Sequence, residues 1–332
     1  MIQLLSYKRI NTNILMKTII FHHDDIDGLI SALGFAYNDY TTKNPGEIPD
    51  YKELRKNYFF FEVHYGMSDI FSYCRKNHFN LNGFERVIVV DFCFKKEVMQ
   101  EFSDTYKNNF IWIDHHKNVI DEFSDLEIKG LRNHNFAASV LVWKYFNKEP
   151  CLFAQYIEDM DIWKWQLPNS REILQYLDYL YMQIFDKDHP ENENKIINDF
   201  LDFFDDNKFK NQLPEFINLG KMMELYIKIR VKDDVITGKT FDFEGVKTFV
   251  VNSQFKAGLF SDYIFNNSNY NDVELVIVWY KSYAKYGEGN NFDKVSLRSR
   301  NIDCSPIAQK FGGNGHPKAS GFIISDIDDI IQ

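Results

Sequence analysis

Short apolar runs that end abruptly in charge recur through the first third of the chain. Thr18-Ile19-Ile20-Phe21 reads as a buried strand, and His22-His23-Asp24-Asp25-Ile26-Asp27-Gly28 follows at once. Leu29 to Tyr37 then reads as the first turns of a helix. Tyr58 to His64 is a second expected strand, trailed by an amphipathic segment around Asp69 to Tyr73. Arg86-Val87-Ile88-Val89-Val90 is the clearest strand pattern; it stops at Asp91, and Lys95 to Phe102 reads as helix. Phe110 to Ile113 runs straight into Asp114-His115-His116. Strands alternating with helices at this spacing predict an α/β fold whose parallel sheet carries helices on both faces. Ligands of such sheets sit outside the carboxyl ends of the strands, and the charged residues fall at that edge.

The pattern changes twice afterwards. Ala137 to Phe146 and Leu152 to Trp163 are helical in period, and Ser170 to Thr237 is mostly helical with breaks expected at His189-Pro190 and Leu213-Pro214. Two stripes in that region, Phe200, Leu201, Phe203 and Phe204, then Met222, Met223, Leu225, Tyr226 and Ile229, are expected to face a core. From Lys239 the chain alternates again: Lys239 to Asn252 as a hairpin, Val273 to Trp279 and Lys294 to Arg298 as strands. The expected division is a domain over 16–190, a helical connector over 191–238 and a smaller α/β domain over 239–332.

Composition narrows the partners. At 332 residues, 45% hydrophobic and 26% charged, the chain is an ordinary soluble globular protein of two domains, with no run near the roughly 18 apolar residues of a membrane span. Cys74, Cys93, Cys151 and Cys304 form no CxxC pair, which fits a reducing cytoplasm rather than a disulfide framework or zinc knuckle. The first 15 residues have no apolar core of the signal-peptide kind, and Met16-Lys17 before the first strand resembles a natural start, with the residues before it expected to be an extension. The formal net charge of −10 argues against gripping a long duplex, whose binders carry a basic balance. Phosphate can still be bound locally, through cations and a few basic groups.

The charged strand ends carry the chemistry. Alternate residues of an extended segment point the same way, so His23, Asp25 and Asp27 can converge on one side. One imidazole with two carboxylates suits Mn²⁺, Mg²⁺ or Fe²⁺ better than a thiolate-selected metal; a solvated acidic turn with Asp27 as helix cap is the plainer alternative. Asp91 and Asp114-His115-His116 add donors at two further strand ends, and Tyr156 to Trp163 holds acidic groups inside a predicted helix. Together they suffice for two cations about 4 Å apart, an arrangement that activates water and stabilises a leaving oxygen in phosphoryl displacement.

These motifs, in this order, resemble motifs I to IV of the DHH phosphoesterase superfamily. Gly312-Gly313-Asn314-Gly315-His316-Pro317-Lys318-Ala319-Ser320-Gly321 resembles the glycine-rich signature of its DHH-associated domain, and Val295-Ser296-Leu297-Arg298-Ser299 the substrate-binding strand of that domain. The resemblance covers about residues 17 to 325. It implies two divalent cations, Mn²⁺ first and Mg²⁺ or Co²⁺ as alternatives. His23, Asp25 and Asp91 would hold one, with Asp114 close by. Asp27, Asp91, His115 and a motif IV carboxylate would hold the other, with Asp91 shared. Asp159 is expected to be that last carboxylate rather than Asp161, because the family's aspartate follows a lead such as Ile157-Glu158. His116 would meet the substrate phosphate, and His22 is expected to be structural. Arg298, Gly312, Gly313, Gly315 and His316 would hold the nucleotide end, the backbone N–H groups of the loop cradling a phosphate. Two departures stand out: Asn314 interrupts the usual run of three glycines, and Ser320 replaces a common alanine.

The expected activity is that of a Mn²⁺-dependent phosphodiesterase on short oligoribonucleotides or linear dinucleotides, similar to the nanoRNases, by two-metal activation of water in a cleft between domains. A small-molecule or cyclic-nucleotide phosphohydrolase of the same superfamily is the alternative enzyme. A non-catalytic nucleotide sensor is the alternative of another class. A processive nuclease would want a basic, aromatic-lined channel, and Lys and Arg are outnumbered here 38 to 48.

Overall fold

A computed structural model describes residues 18–64, 67, 69–77, 79–255, 257–282 and 292–331. The chain folds into two compact units, one ending at Lys221 and the other beginning at Met222.

The first unit opens with β1 (Thr18–His23), α1 (Ile26–Lys43), α2 (Tyr51–Leu54), β2 (Tyr58–Val63) and α3 (Ile70–Asn77). It continues with β3 (Arg86–Val90), α4 (Lys96–Tyr106), β4 (Phe110–Asp114), α5 (Lys117–Glu122) and β5 (Gly130–Arg132). Helices α6 (Ala138–Tyr145), α7 (Leu152–Asp161), α8 (Ser170–Ile184), α9 (Glu191–Asp202) and α10 (Asp206–Val235) follow, the unit boundary falling within α10. The five strands pair in parallel in the order β2-β1-β3-β4-β5. The period-two alternation of side chains divides the strands between two cores. Ile20, Ile88, Val90, Ile111 and Ile113 pack with α1, α6, α7, α8 and α9. Ile19, Phe21, Val87, Val89, Phe110 and Trp112 pack with α3 and α4 on the other face. Each such burial is worth roughly 1.5–3 kcal/mol, so the register that brings the strand ends level is strongly held.

Two expectations for the helices are corrected. The break at Leu213-Pro214 does not occur: Pro214 lies inside α10. It withholds one N–H from the helix, but Phe209 and Phe216 on either side are buried in the first core, and that packing outweighs the local penalty. The stripe of Met222, Leu225, Tyr226 and Ile229 does not face a core either; these four side chains are 52–64% exposed. The other face of the same helix, with Val231 and Val235 buried and Ile227 partly so, packs in the second unit. The first stripe is as expected, with Phe200, Leu201, Phe203 and Phe204 all buried.

The second unit contains β6 (Lys239–Phe243), β7 (Val246–Asn252), α11 (Ala257–Phe265), β8 (Leu275–Ser282), β9 (Phe292–Ser299), α12 (Ser305–Lys310), β10 (Asn314–His316) and β11 (Ala319–Ile324). Its six-stranded sheet runs β10-β11-β9-β8-β7-β6, with only β7 and β8 parallel. Its cores lie under α12 and under α11 with the end of α10. No helix among the described residues is long and apolar enough to cross a membrane.

Candidate metal centre

Strand order builds the site. Because β1, β3 and β4 are neighbours and parallel, their carboxyl ends form one edge with β3 in the middle. His23 ends β1, Asp91 directly follows β3, Asp114 ends β4, and His115 and His116 directly follow it. Asp91 is therefore flanked on both sides by the other two motifs.

The β1–α1 turn is shaped around these groups. Asp25 is the N-cap of α1, its Oδ1 accepting from Gly28 N at 2.9 Å while Oδ2 meets His23 Nδ1 at 2.6 Å. Gly28 is required by close approach: a Cβ there would lie 2.4 Å from the carbonyl oxygen of His23. Asp27 is buried, and its two carboxylate oxygens accept from the backbone N–H groups of Ala138 and Ser139 at 3.0 and 3.1 Å. The first turn of α6 is thereby tied to the sheet edge. His22 is buried with Nδ1 on the His23 carbonyl oxygen, and burial pulls its pKa down to about 4, as suits a structural residue.

Asp91 is the centre of the cluster. It is 1% exposed and holds a left-handed φ of 54°, a conformation rare outside glycine and found where function maintains strain. Neither carboxylate oxygen has a hydrogen-bond partner among the described residues. Burial, with the charges of Asp27, Asp25 and Asp161 around it, pushes its carboxyl well above the usual carboxylate range. The donor atoms fall into three groups, each within 4.8 Å: His23, Asp25 and Asp91; Asp91, His115 and His116; Asp27, His115 and Asp161. Two of these three share Asp91. His115 Nε2 stands 3.1 Å from Asp91 and 3.3 Å from Asp161. Burial, helped by the neighbouring His116 charge, pulls His115 down to about 4, so this imidazole is neutral and able to ligate.

Asp114 is not one of the donors in these groups. It is fully buried and turned inward, Oδ1 accepting from His115 N at 2.7 Å and meeting His116 Nδ1 at 2.8 Å, Oδ2 accepting from Trp112 Nε1 at 3.3 Å. Burial works against a charge on His116, but the hydrogen bond and charge of Asp114 prevail and hold that imidazole up at about 9. Asp114 thus positions and charges His116.

The structure brings Asp161, not Asp159, to the cluster. Both lie on α7, but the two-residue offset turns them apart by about 200° on a helix of 3.6 residues per turn. The Asp159 carboxylate faces the following loop, accepting from Gln166 N at 2.8 Å and Leu167 N at 3.2 Å. Asp161, the last helical residue, has its buried Oδ2 without a hydrogen-bond partner, like both oxygens of Asp91. The signal available in sequence was the turn Lys164 to Leu167 before Pro168, which needs an acceptor from the helix it follows.

In the second unit the expected phosphate loop is a tight hairpin. Gly312 has φ 75°, a Cβ on Gly313 would meet the Gly321 carbonyl oxygen at 2.1 Å, and one on Gly315 the Ser320 Cα at 2.5 Å. Asn314 opens β10 opposite Gly321, so its departure from the glycine run falls at a strand position. Ser320 is buried, and its hydroxyl donates to the His316 carbonyl oxygen at 2.8 Å. His316 is exposed, while Arg298 on β9 is half-buried beside Ala319 of β11, its Nη1 donating to the Leu297 carbonyl oxygen at 2.8 Å. Arg298 on β9 and the loop leading into β10 therefore lie in one sheet with β11 between them.

No family model matches the chain. It is 28% identical over 257 residues to uncharacterized protein R106 of Acanthamoeba polyphaga mimivirus, a match covering 73% of this chain and 54% of that protein. The chain thus spans about half the length of the curated relative it matches. Among solved structures, the DHH domain of a member of the S1p family of ribosomal proteins is similar at 14% identity and a TM-score of 0.52, over 93% of this chain and 83% of that one. Exonuclease RecJ bound to manganese is similar at 12% identity and a TM-score of 0.47, over 93% and 86%. The first of these likenesses and the parallel sheet agree: the chain has the fold of a DHH domain.

Proposed function

We propose that the protein is a divalent-cation-dependent phosphodiesterase that hydrolyses short oligoribonucleotides or linear dinucleotides. The observation that carries this reading is Asp91: two buried carboxylate oxygens without hydrogen-bond partners among the described residues, in a cluster with three other carboxylates and three imidazoles. Such a group is costly unless a cation compensates it, and the oxygen-and-imidazole donor set fits Mn²⁺ or Mg²⁺. His23, Asp25 and Asp91 would hold one cation; Asp27, Asp91, His115 and Asp161 would hold the second. Bound there, such cations supply Lewis acidity and lower the pKa of an attacking water.

The chain's own groups do the rest. Asp114 keeps the proton on His116 Nδ1 and directs Nε2 toward the substrate, where an imidazolium meets a phosphate oxygen and offsets the charge gained in the transition state. In the second unit Arg298, His316 and the N–H groups of Gly312, Gly313 and Gly315 would take the phosphate at the nucleotide end. The acidic balance supports a short substrate.

The test is hydrolysis of a labelled diribonucleotide, a five-nucleotide RNA, a cyclic dinucleotide and pyrophosphate, each with Mn²⁺ and with chelator. Metal-dependent cleavage of the first two supports the reading. Cleavage of none, or of pyrophosphate alone, overturns it.

A further inference from the structure

The loop that follows Asp161 holds a feature the reaction above does not use. Trp163 is 70% exposed and adopts φ 62°, and Trp165 two residues on adopts φ 51°. Left-handed backbone is rare for bulky residues and persists where the surroundings over-determine it. Here they do. Trp163 N donates to the Met160 carbonyl oxygen at 3.0 Å, and Lys164 N and Trp165 N donate to that of Asp159 at 2.9 and 3.1 Å. The Asp159 carboxylate then takes Gln166 N and Leu167 N. Five consecutive N–H groups are committed, so the loop holds the indole outward by design of its backbone. Trp165 braces it in a near-perpendicular contact, ring centroids 5.3 Å apart, and the Arg171 guanidinium lies 5.0 Å over Trp165.

We propose that Trp163 is the stacking platform for a base of the substrate, beside the phosphodiester held at the metal centre; this rests on the reading that the substrate is a nucleotide. Chain length sets the reach: Ile162 alone separates Trp163 from Asp161, so their Cα atoms lie within about 7 Å. A planar side chain that close to a phosphate-binding centre is placed to meet the base attached to that phosphate. Charge favours the same conclusion. In a chain of net charge −10, cationic contacts are scarce, and base–aromatic stacking supplies affinity that needs none. Every base has a π face, so a platform of this kind accepts any of the four and selects for the presence of a base rather than its identity. It also gives Asp159 a role: its side chain and carbonyl hold the loop that presents Trp163.

The experiment compares wild type, Trp163→Ala and Trp163→Phe on a diribonucleotide and on its analogue lacking the base on either side, in Mn²⁺. Trp163→Ala should raise KM for the diribonucleotide roughly 5- to 150-fold, the equivalent of about 1–3 kcal/mol, with kcat nearly unchanged. Trp163→Phe should restore most of the loss, and the analogue that lacks the stacked base should be cleaved equally by all three. Binding of a phosphorothioate-linked dinucleotide should quench tryptophan fluorescence in wild type and lose most of that quench in Trp163→Phe. Unchanged KM in Trp163→Ala, or an equal loss on both abasic analogues, overturns the platform while leaving the phosphodiesterase reading in place. Failure of wild type to cleave any nucleotide overturns the phosphodiesterase reading, and the platform with it.

Discussion

Replacing Asp91 by asparagine should move stability in opposite directions with and without metal. Asparagine nearly matches the shape of the carboxylate and tolerates the left-handed φ of 54°, so the change removes charge and little else. Asp25 and Asp91 donor atoms lie within 4.8 Å; two unit charges at that distance repel by about 3 kcal/mol at an effective dielectric constant of about 20. The His23 partner of Asp25 offsets part of this, and protonation of Asp91, whose carboxyl stands well above the usual range, relieves more, leaving a gain of at most about 1–3 kcal/mol for the variant in chelator. That corresponds to a rise in melting temperature of roughly 2–10 °C for a unit of this size. Adding Mn²⁺ at about a hundred times its dissociation constant should stabilise wild type by about 2.7 kcal/mol and the variant hardly at all, so the order of stability reverses. Hydrolysis should fall to background in the variant. Thermal unfolding in chelator and in Mn²⁺, followed by circular dichroism, reads both arms. A variant less stable than wild type in chelator, with an equal response to Mn²⁺, would show Asp91 to be a structural residue and refute the reasoning.

Three further outcomes follow from the same geometry. Burial, with the charge of Asp25, raises the Asp27 carboxyl to about 6, against about 3.9 unfolded. The folded state binds this proton more tightly, so in chelator its contribution is full below about pH 4 and lost as pH rises through 6. Metal-free protein should therefore melt higher at pH 5 than at pH 7, and saturating Mn²⁺ should abolish that trend. Asp39 is the opposite case: burial opposes its charge, but Arg86, Lys43 and the Tyr58 hydroxyl hold its carboxyl below the usual range. Its contribution is present above about pH 4 and lost as pH falls through the depressed value; Asp39→Ala should lower stability by about 3 kcal/mol in urea titrations and leave the response to Mn²⁺ unchanged. Finally, Asp161→Asn should weaken Mn²⁺ binding at least tenfold by calorimetry, while Asp159→Asn should leave the Mn²⁺ affinity near wild type and loosen the loop after α7.

The parallel sheet was legible in sequence because each of its four long strands holds an apolar run of three or four residues followed directly by an ionisable one (His22, Glu62, Asp91, Asp114), and both signals have short range. β3 coincides with its expected span, Arg86–Val90. The failures lie where tertiary packing overrides a local rule. Pro214 is a helix breaker in isolation, yet Phe209 and Phe216 are buried on both sides of it and carry the helix through. The stripe from Met222 to Ile229 has the spacing of a core face, but a periodic pattern cannot say which of two opposite apolar faces finds a partner. Ile227, Val231 and Val235 found it.

The site shows the same division one level down. Which residues gather is dictated by strand order, so His23, Asp91 and His115 could be read from the ends of apolar runs. What each does depends on where its side chain turns, and sequence spacing is silent on that. Asp114 and Asp91 both follow buried strands, yet Asp114 is bonded on both oxygens and Asp91 on neither. The first is spent on its neighbours; the second is the carboxylate that a cation would compensate. Asp159 and Asp161 divide likewise, one bonded to the loop behind it and the other with a buried oxygen that has no hydrogen bond among the described residues. Among the described residues, Asp91 and Asp161 thus keep buried oxygens free of hydrogen bonds where Asp114 and Asp159 keep none, a difference that sequence leaves open; on the proposed reading Asp114 charges His116, and Asp159 builds the loop that displays Trp163.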